Sequence, residues 1–345
     1  MAGRFLVASD IHLHLWTYGN PLERLYDQVA AVADVFKRAR AEACDAIVFC
    51  GDLFHTQGNV HTLILDRIWQ ELKFQNYPKE KVVFLPGNHD MVFRANSERH
   101  ALGFLEQFGH VADGGQPVRI KNMPDIYSLP YVEDGERLKR FLGAVPPNAL
   151  VLMHQGVSGV EVASRGFVMN ELLHPSMVPD YVFHAFAGHY HSFHRASANL
   201  TIPGALMQHH FGDAGERRGA LHVEFDDSSI RIVQIASRGK RFMDVPFTDM
   251  SELRDVCEQN SDSFLRIVDV PARQVAELQG VFKSLHLPQE PKVVPRSDEA
   301  LPVQAGLRDV EDLPRLLKRY AEINQISPEL LATGHEIMKV DDAVH

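Results

Sequence analysis

The sequence predicts an α/β fold in which helices flank layered or sandwiched sheets, and three features of the chain lead to that prediction. Short continuous apolar runs, such as those at residues 5–8, 46–50, 82–85 and 150–153, read as strands buried on both faces. Between the first two, apolar residues change to helical spacing, as in Leu22, Leu25, Val29, Val32, Val35 and Phe36, which reads as a core-facing stripe. Finally, five of the runs break off directly into Asp, Asn or His.

The first run ends in Ser9, Asp10, Ile11 and His12, so a carboxylate and an imidazole stand two residues apart, on one side of the chain if it stays extended. The second ends in Gly51 and Asp52, followed by His55. The third turns at Pro86 and Gly87 into Asn88, His89 and Asp90. The fourth ends in His154, and a fifth, at 183–187, in Gly188, His189, Tyr190 and His191. Asn and Asp are ordinary turn residues, so any one of these endings would read as a plain loop. Five in one chain do not.

After the last of them, ALHVEF and IRIVQIA read as antiparallel edges completing a second sheet. These elements form a first domain, residues 1–245. Residues 246–300 give helix, strand, helix and the strand-like KVVP, a small α/β unit. In 301–345, Val310, Leu313, Leu316, Leu317, Tyr320 and Ile323 line one helical face, and a second helix starts with Ser327 as N-cap and Pro328 at its first position. Two such helices either pack back on the chain or dock on a partner.

The carboxyl ends of parallel strands open into a common crevice, where side chains from separate strands converge. The set gathered there is Asp10, His12, Asp52, Asn88, His154, His189 and His191, with His55 and His89 beside it. Oxygen and imidazole donors without thiolate suit Mn, Fe or Zn and fit a closed structural zinc site badly. Seven donors exceed what one small ion with an open position needs. They suit two ions about 3.5–4 Å apart, the arrangement used for in-line displacement at phosphorus.

The order Asp10-x-His12, Gly51-Asp52-x-x-His55, Gly87-Asn88-His89-Asp90, His154 and Gly188-His189-x-His191 resembles the calcineurin-like metallophosphoesterases over roughly the first two thirds of the chain. His55, at a position where the phosphatases of that superfamily have Asp-Arg-Gly, and the tail beyond 245 resemble more narrowly the SbcD-type nucleases and their bacteriophage recombination relatives. That resemblance implies a metallophosphoesterase two-sheet sandwich with a small capping domain over the cleft to grip DNA. It implies that Asp10, His12, Asp52 and His191 hold one ion, and that Asp52 bridges to a second ion bound by Asn88, His154 and His189, with Mn the expected metal. The activity implied is exonuclease on duplex ends and endonuclease on single strands, through a hydroxide activated by the two ions, in double-strand-break repair or recombination. His89 is expected to stabilise the transition state and protonate the leaving oxygen, Asp90 to orient His89, and His55 to place the strand. DNA and an SbcC-like ATPase, docked on 301–345, are the implied partners, and a homodimer is compatible with the family. The family commonly has Gly two residues after its first His; this chain has His14, which is expected to face outward or lie behind the ligands. His209 and His210 read either as a polar loop or as a contact at the edge of the site.

Composition sets outer limits. The chain has 345 residues, 19 of them His, and a net charge of −10, which predicts weak non-specific DNA binding, with Arg217-Arg218 and Arg238 to Arg241 as local basic groups that could meet phosphates. Cys44, Cys50 and Cys257 follow no Cys-x-x-Cys spacing and read as buried free thiols. No apolar stretch approaches the ~18 residues of a membrane span, and the N-terminal run is too short for a signal peptide, so a cytoplasmic protein is expected, nucleoid-associated or in a phage host's cytoplasm. Two other functions fit part of the pattern: a phosphodiesterase acting on a nucleotide or other small molecule, and a scaffold for the ATPase.

Overall fold

The structure of the chain, a computed structural model, describes residues 2–15, 21–93, 99–162, 167–168, 170–227, 229–285, 287 and 290–296. The two helices expected within 301–345 lie outside these residues. The chain opens with β1 (Gly3–Ala8), α1 (Pro21–Ala41), β2 (Ala46–Cys50), α2 (Thr62–Gln75), β3 (Val82–Leu85) and β4 (His110–Val111). It continues through β5 (Ile126–Leu129), α3 (Gly135–Ala144), β6 (Leu150–His154), β7 (Glu161–Val162), β8 (Phe167–Val168), β9 (His184–Gly188), β10 (His194–Arg195) and β11 (Leu200–Ile202). Then come β12 (Gly219–Phe225), β13 (Ile230–Ala236), β14 (Phe242–Pro246), α4 (Met250–Gln259), β15 (Phe264–Val270), α5 (Val275–Leu285) and β16 (Lys292–Pro295).

Two sheets form the centre. The first runs β13-β12-β1-β2-β3-β4 and the second β10-β11-β9-β6-β5. Within them β1 to β4, and β5, β6, β9 and β11, are parallel. Strand alternation explains the layering. Phe5, Val7, Val48, Val83 and Leu85 point from the first sheet onto Leu150, Leu152 and Phe186 of the second. Leu6, Ala8, Ile47, Phe49 and Phe84 point the other way, onto α1 and α2. Val151, Met153 and Ala185 carry the second sheet against Leu138 and Leu142 of α3. The central strands of both sheets are therefore buried on both faces, the physical reason they are unbroken apolar runs, and each large buried side chain contributes about 1.5–3 kcal/mol. In α1 the predicted stripe is buried except for Leu22, 42% exposed at the helix start.

ALHVEF and IRIVQIA are antiparallel strands, as predicted, but they extend the first sheet: β12 pairs with β1 in register Phe5↔Val223 and Leu6↔His222. The alternation of a half-buried hairpin is the same whichever sheet it joins, so the pattern alone did not decide between them.

The third sheet, β14-β15-β16, is parallel, with α4 and α5 as its crossovers. Its first strand begins at Phe242, ahead of the expected boundary at 245. Asp249 caps α4 by accepting from the N–H groups of Ser251 and Glu252. Arg24 of α1 links this sheet to the rest: fully buried, it donates to Asp27 (2.7 Å) and to the Gln208 carbonyl (2.6 Å), and its guanidinium lies 5.6 and 5.5 Å from the Phe242 and Phe264 rings.

Where β2, β6 and β9 end, the sheets approach closely. A Cβ on Gly188 would run into the Cys50 carbonyl oxygen and the Ser9 hydroxyl. Gly188→Ala must therefore push backbone apart, and we expect it to destabilise the metal-free protein by about 1–3 kcal/mol, read as a lower urea midpoint; an unchanged midpoint would contradict this packing.

Candidate metal centre

The seven predicted donors come together. Asp10, His12 and His191 present ligand atoms that all lie within 4.8 Å of one another, and so do Asp52, His154 and His189. Asn88 joins the second group: its Oδ1 is 3.1 Å from His154 Nε2 and 3.0 Å from His189 Nδ1. Asp52 joins both, since its Oδ2 lies 3.2 Å from His154 Nε2 and 3.6 Å from His12 Nε2.

The expected extended conformation at Asp10 to His12 does not occur. Asp10, His12 and Asp52 have φ of 50°, 50° and 51°, and His189 has 111°, all in regions that L residues adopt rarely. Hydrogen bonds from the surroundings hold them there. Asp10 N–H donates to the Gly51 carbonyl, and the Ile11 and His12 N–H groups both donate to the Asp52 carbonyl (2.9 and 3.0 Å). Asp52 Oδ1 accepts the His89 N–H at 2.8 Å, and a Cβ on Gly87 would collide with this carboxylate.

Other groups fix the rings. His154 donates from Nδ1 to the Cys50 carbonyl (3.0 Å), which leaves Nε2 as the donor atom. His209, 4% exposed, donates from Nε2 to the Asp10 carbonyl (2.9 Å) and packs 5.2 Å from the His12 ring and 5.0 Å from the His191 ring. His14 is buried and faces inward: its Nδ1 is 2.5 Å from the His12 carbonyl and 3.0 Å from Gln28 Nε2. It therefore lies behind the ligands, the second of its two expected placements. His210 caps a short turn by accepting the Gly212 N–H.

Two expectations are corrected. Asp90 does not hold the His89 ring; its carboxylate accepts the N–H groups of Gly87, Leu53 and Phe54 (2.9, 3.2 and 2.9 Å), clamping the β2 and β3 ends together. The acceptor for His89 Nδ1 is the His55 carbonyl at 2.5 Å, and the two imidazoles stack with centroids 5.4 Å apart. Arg218 is no phosphate ligand, being buried and paired with Asp213 (2.8 Å) and Glu216 (2.5 Å).

The donors fit a pair of cations. His12 Nε2 and His191 Nε2 are 3.2 Å apart, and the other close donor pairs above are 3.0–3.6 Å apart. Atoms bonded at about 2.0–2.2 Å to one ion have such spacings. Charge agrees. Burial, with His191 next in effect, holds His12 well below its ordinary pKa, and burial brings His189 and His191 down to about 4, so these rings are neutral donors. Burial pushes the Asp10 carboxyl up to about 7, against the pull of His154 and with a further push from Asp52. For Asp52 the cost of burial is outweighed by His154, which holds the carboxyl below its usual range. Burial opposes protonation of His154, but Asp52 and Asp10 overcome it and raise the ring to about 9.

The comparisons with known proteins bear on this site. The model of the calcineurin-like phosphoesterase family matches residues 3–193, more than half of the chain, and the chain belongs to that family. It is thus a phosphoester hydrolase of a family that uses two metal ions. It is 27% identical to the "Putative phosphoesterase 244L" of Invertebrate iridescent virus 6 over 222 residues, covering 59% of this chain and 71% of the viral protein. A crystal structure of a dimetal phosphatase from Danio rerio aligns at 12% identity with a TM-score of 0.46, over 68% of this chain and 96% of that one. His209 lies beyond the matched region; of its two readings from the sequence, polar loop or contact at the edge of the site, its packing on the His12 and His191 rings agrees with the second.

Metal must displace the protons of His154 and Asp10. Affinity for Mn or Zn is therefore expected to climb as pH rises through about 7 to 9, with net proton release on loading at pH 7. In the metal-free protein both raised pKa values stabilise the fold at low pH, and that contribution is lost as pH passes through about 7 and about 9. Calorimetric titration in two buffers of different ionisation enthalpy measures the proton release; equal heats would contradict this charge assignment.

Proposed function

We propose that the chain is a Mn-dependent DNA nuclease, cutting duplex ends and single strands, that works with an SbcC-like ATPase through residues 301–345. The observation that carries this reading is the His55–His89 pair. Both rings are partly exposed, a ring nitrogen of each lies within 4.8 Å of a ring nitrogen of His12, and neither is needed for the two donor groups. A phosphodiester expels an alkoxide, which needs a proton, and an imidazole beside the cations suits that task.

Two bound cations, held by Asp10, His12, Asp52 and His191 and by Asp52, Asn88, His154 and His189, would supply the Lewis acidity that makes a water nucleophilic near neutral pH. The chain's own residues do the rest. With its Nδ1–H donated to the His55 carbonyl, His89 points Nε2–H at the leaving oxygen and gives that proton up there as the P–O bond breaks. His55, stacked on His89 and 5.3 Å from the His12 ring, keeps His89 upright and meets the strand. Asp90 keeps the β2 and β3 ends at the spacing that lets Asp52 accept from His89 N–H. The net charge of −10 favours a second reading, hydrolysis of a small phosphodiester.

One assay separates them: end-labelled single-stranded and linear duplex DNA, alongside cyclic nucleotides and an aryl phosphodiester, in Mn, Mg or Zn with and without chelator. We expect Mn-dependent DNA cleavage, abolished by Asp52→Ala with loss of metal, and lowered about 10²–10⁴-fold by His89→Ala with both ions retained. Turnover of the small esters without cleavage of DNA would overturn the nuclease reading.

A further inference from the structure

A cavity of ≈ 580 Å³ opens beside His89 and Asp90, and the steps above do not use it. One wall is α2, whose Leu65 and Trp69 stand one turn apart; the other is the short 3-10 helix Ala101–Gln107, which contributes Phe104. Met91 and Val92, continuing the chain from Asp90, add to the apolar lining. Polar groups are few: Asp66 and Gln70, also one helical turn apart on α2, are exposed, and Thr56 stands with them. An apolar slot with aromatic walls, a few polar groups and a volume in the ~300–1,000 Å³ range of small-ligand pockets is suited to a planar heterocycle with hydrogen-bonding edges. It is too small for a duplex.

Resting on the nuclease reading, we infer that this cavity receives the base of the nucleotide on the leaving side of the scissile phosphate, unstacked from its neighbour. The argument is continuity. His89 lines the cavity and is also grouped with His12 and His55 at the donor cluster, so the substituent whose oxygen takes the His89 proton is the one next to the slot. Aromatic side chains supply a stacking platform indifferent to base identity, as a nuclease without sequence preference requires. A base can enter only after leaving the helical stack, which is least costly in a single strand or at a frayed duplex end.

The test uses the full chain with Mn and a short single-stranded oligonucleotide carrying one cleavable linkage. Replacing the leaving-side nucleotide by an abasic residue is expected to slow wild-type cleavage roughly 5- to 150-fold, the worth of one stacked base. Trp69→Ala is expected to slow cleavage of the intact oligonucleotide by a similar factor, and the two losses together should not multiply. Losses that multiply, or an abasic substrate cut as fast as the intact one, would overturn the inference. A second readout needs no turnover: deoxynucleoside monophosphates should quench tryptophan fluorescence saturably in the wild type and not in Trp69→Phe, which keeps a ring in the wall. Absence of quenching in the wild type would also overturn it. If the wild type cuts no DNA yet is quenched, the nuclease reading fails and the base site stands.

Discussion

Asp52 is the residue on which the arrangement depends. Its carbonyl accepts the Ile11 and His12 N–H groups, its Oδ1 accepts the His89 N–H, and its Oδ2 faces His154 and His12. One residue thus fixes the ends of β1, β2 and β3 by its backbone and one carboxylate oxygen, while the other oxygen lies between the two donor groups. Its carboxylate also forces Gly87, because any side chain there would occupy its space. The left-handed backbone at Asp52 itself costs on the order of 1–3 kcal/mol, offset by those three hydrogen bonds and by the packing of both sheets.

The second constraint is the seam where β2 meets β6 and β9. The Cys50 carbonyl accepts a hydrogen bond from His154 Nδ1–H, lies 2.8 Å from the Ser9 hydroxyl, and excludes a side chain from Gly188. The His154 ring orientation, and with it one donor atom, is therefore set by the distance between sheets. Burial then leaves most of the site's imidazoles neutral, so packing and donor chemistry have one cause: a polar cluster enclosed by two apolar layers.

The fold class and the donor set were legible in the sequence because both follow from the same local fact, strands buried on two faces that end in polar residues. What was not legible depended on contacts distant along the chain. The positive φ at Asp10 and His12 is held by acceptors on Gly51 and Asp52, which no local propensity announces. Asp90 follows His89 and so looked like its partner, yet the turn sends its carboxylate back to the β2 end. His209 sits in an ordinary-looking polar loop, and only the fold brings it under the Asp10 carbonyl. Arg218 looked available from its basic neighbour Arg217, and its burial beside Asp213 had no sequence signal.

The segment Gln208–His209 joins three parts of the molecule. The Gln208 carbonyl holds Arg24, its side chain accepts the Phe242 N–H at 2.6 Å, and His209 grips the Asp10 carbonyl from below. Two adjacent residues thus form a stiff lever from the third sheet to the first donor strand. A shift of that sheet is therefore resisted by the same two residues that support the Asp10 backbone.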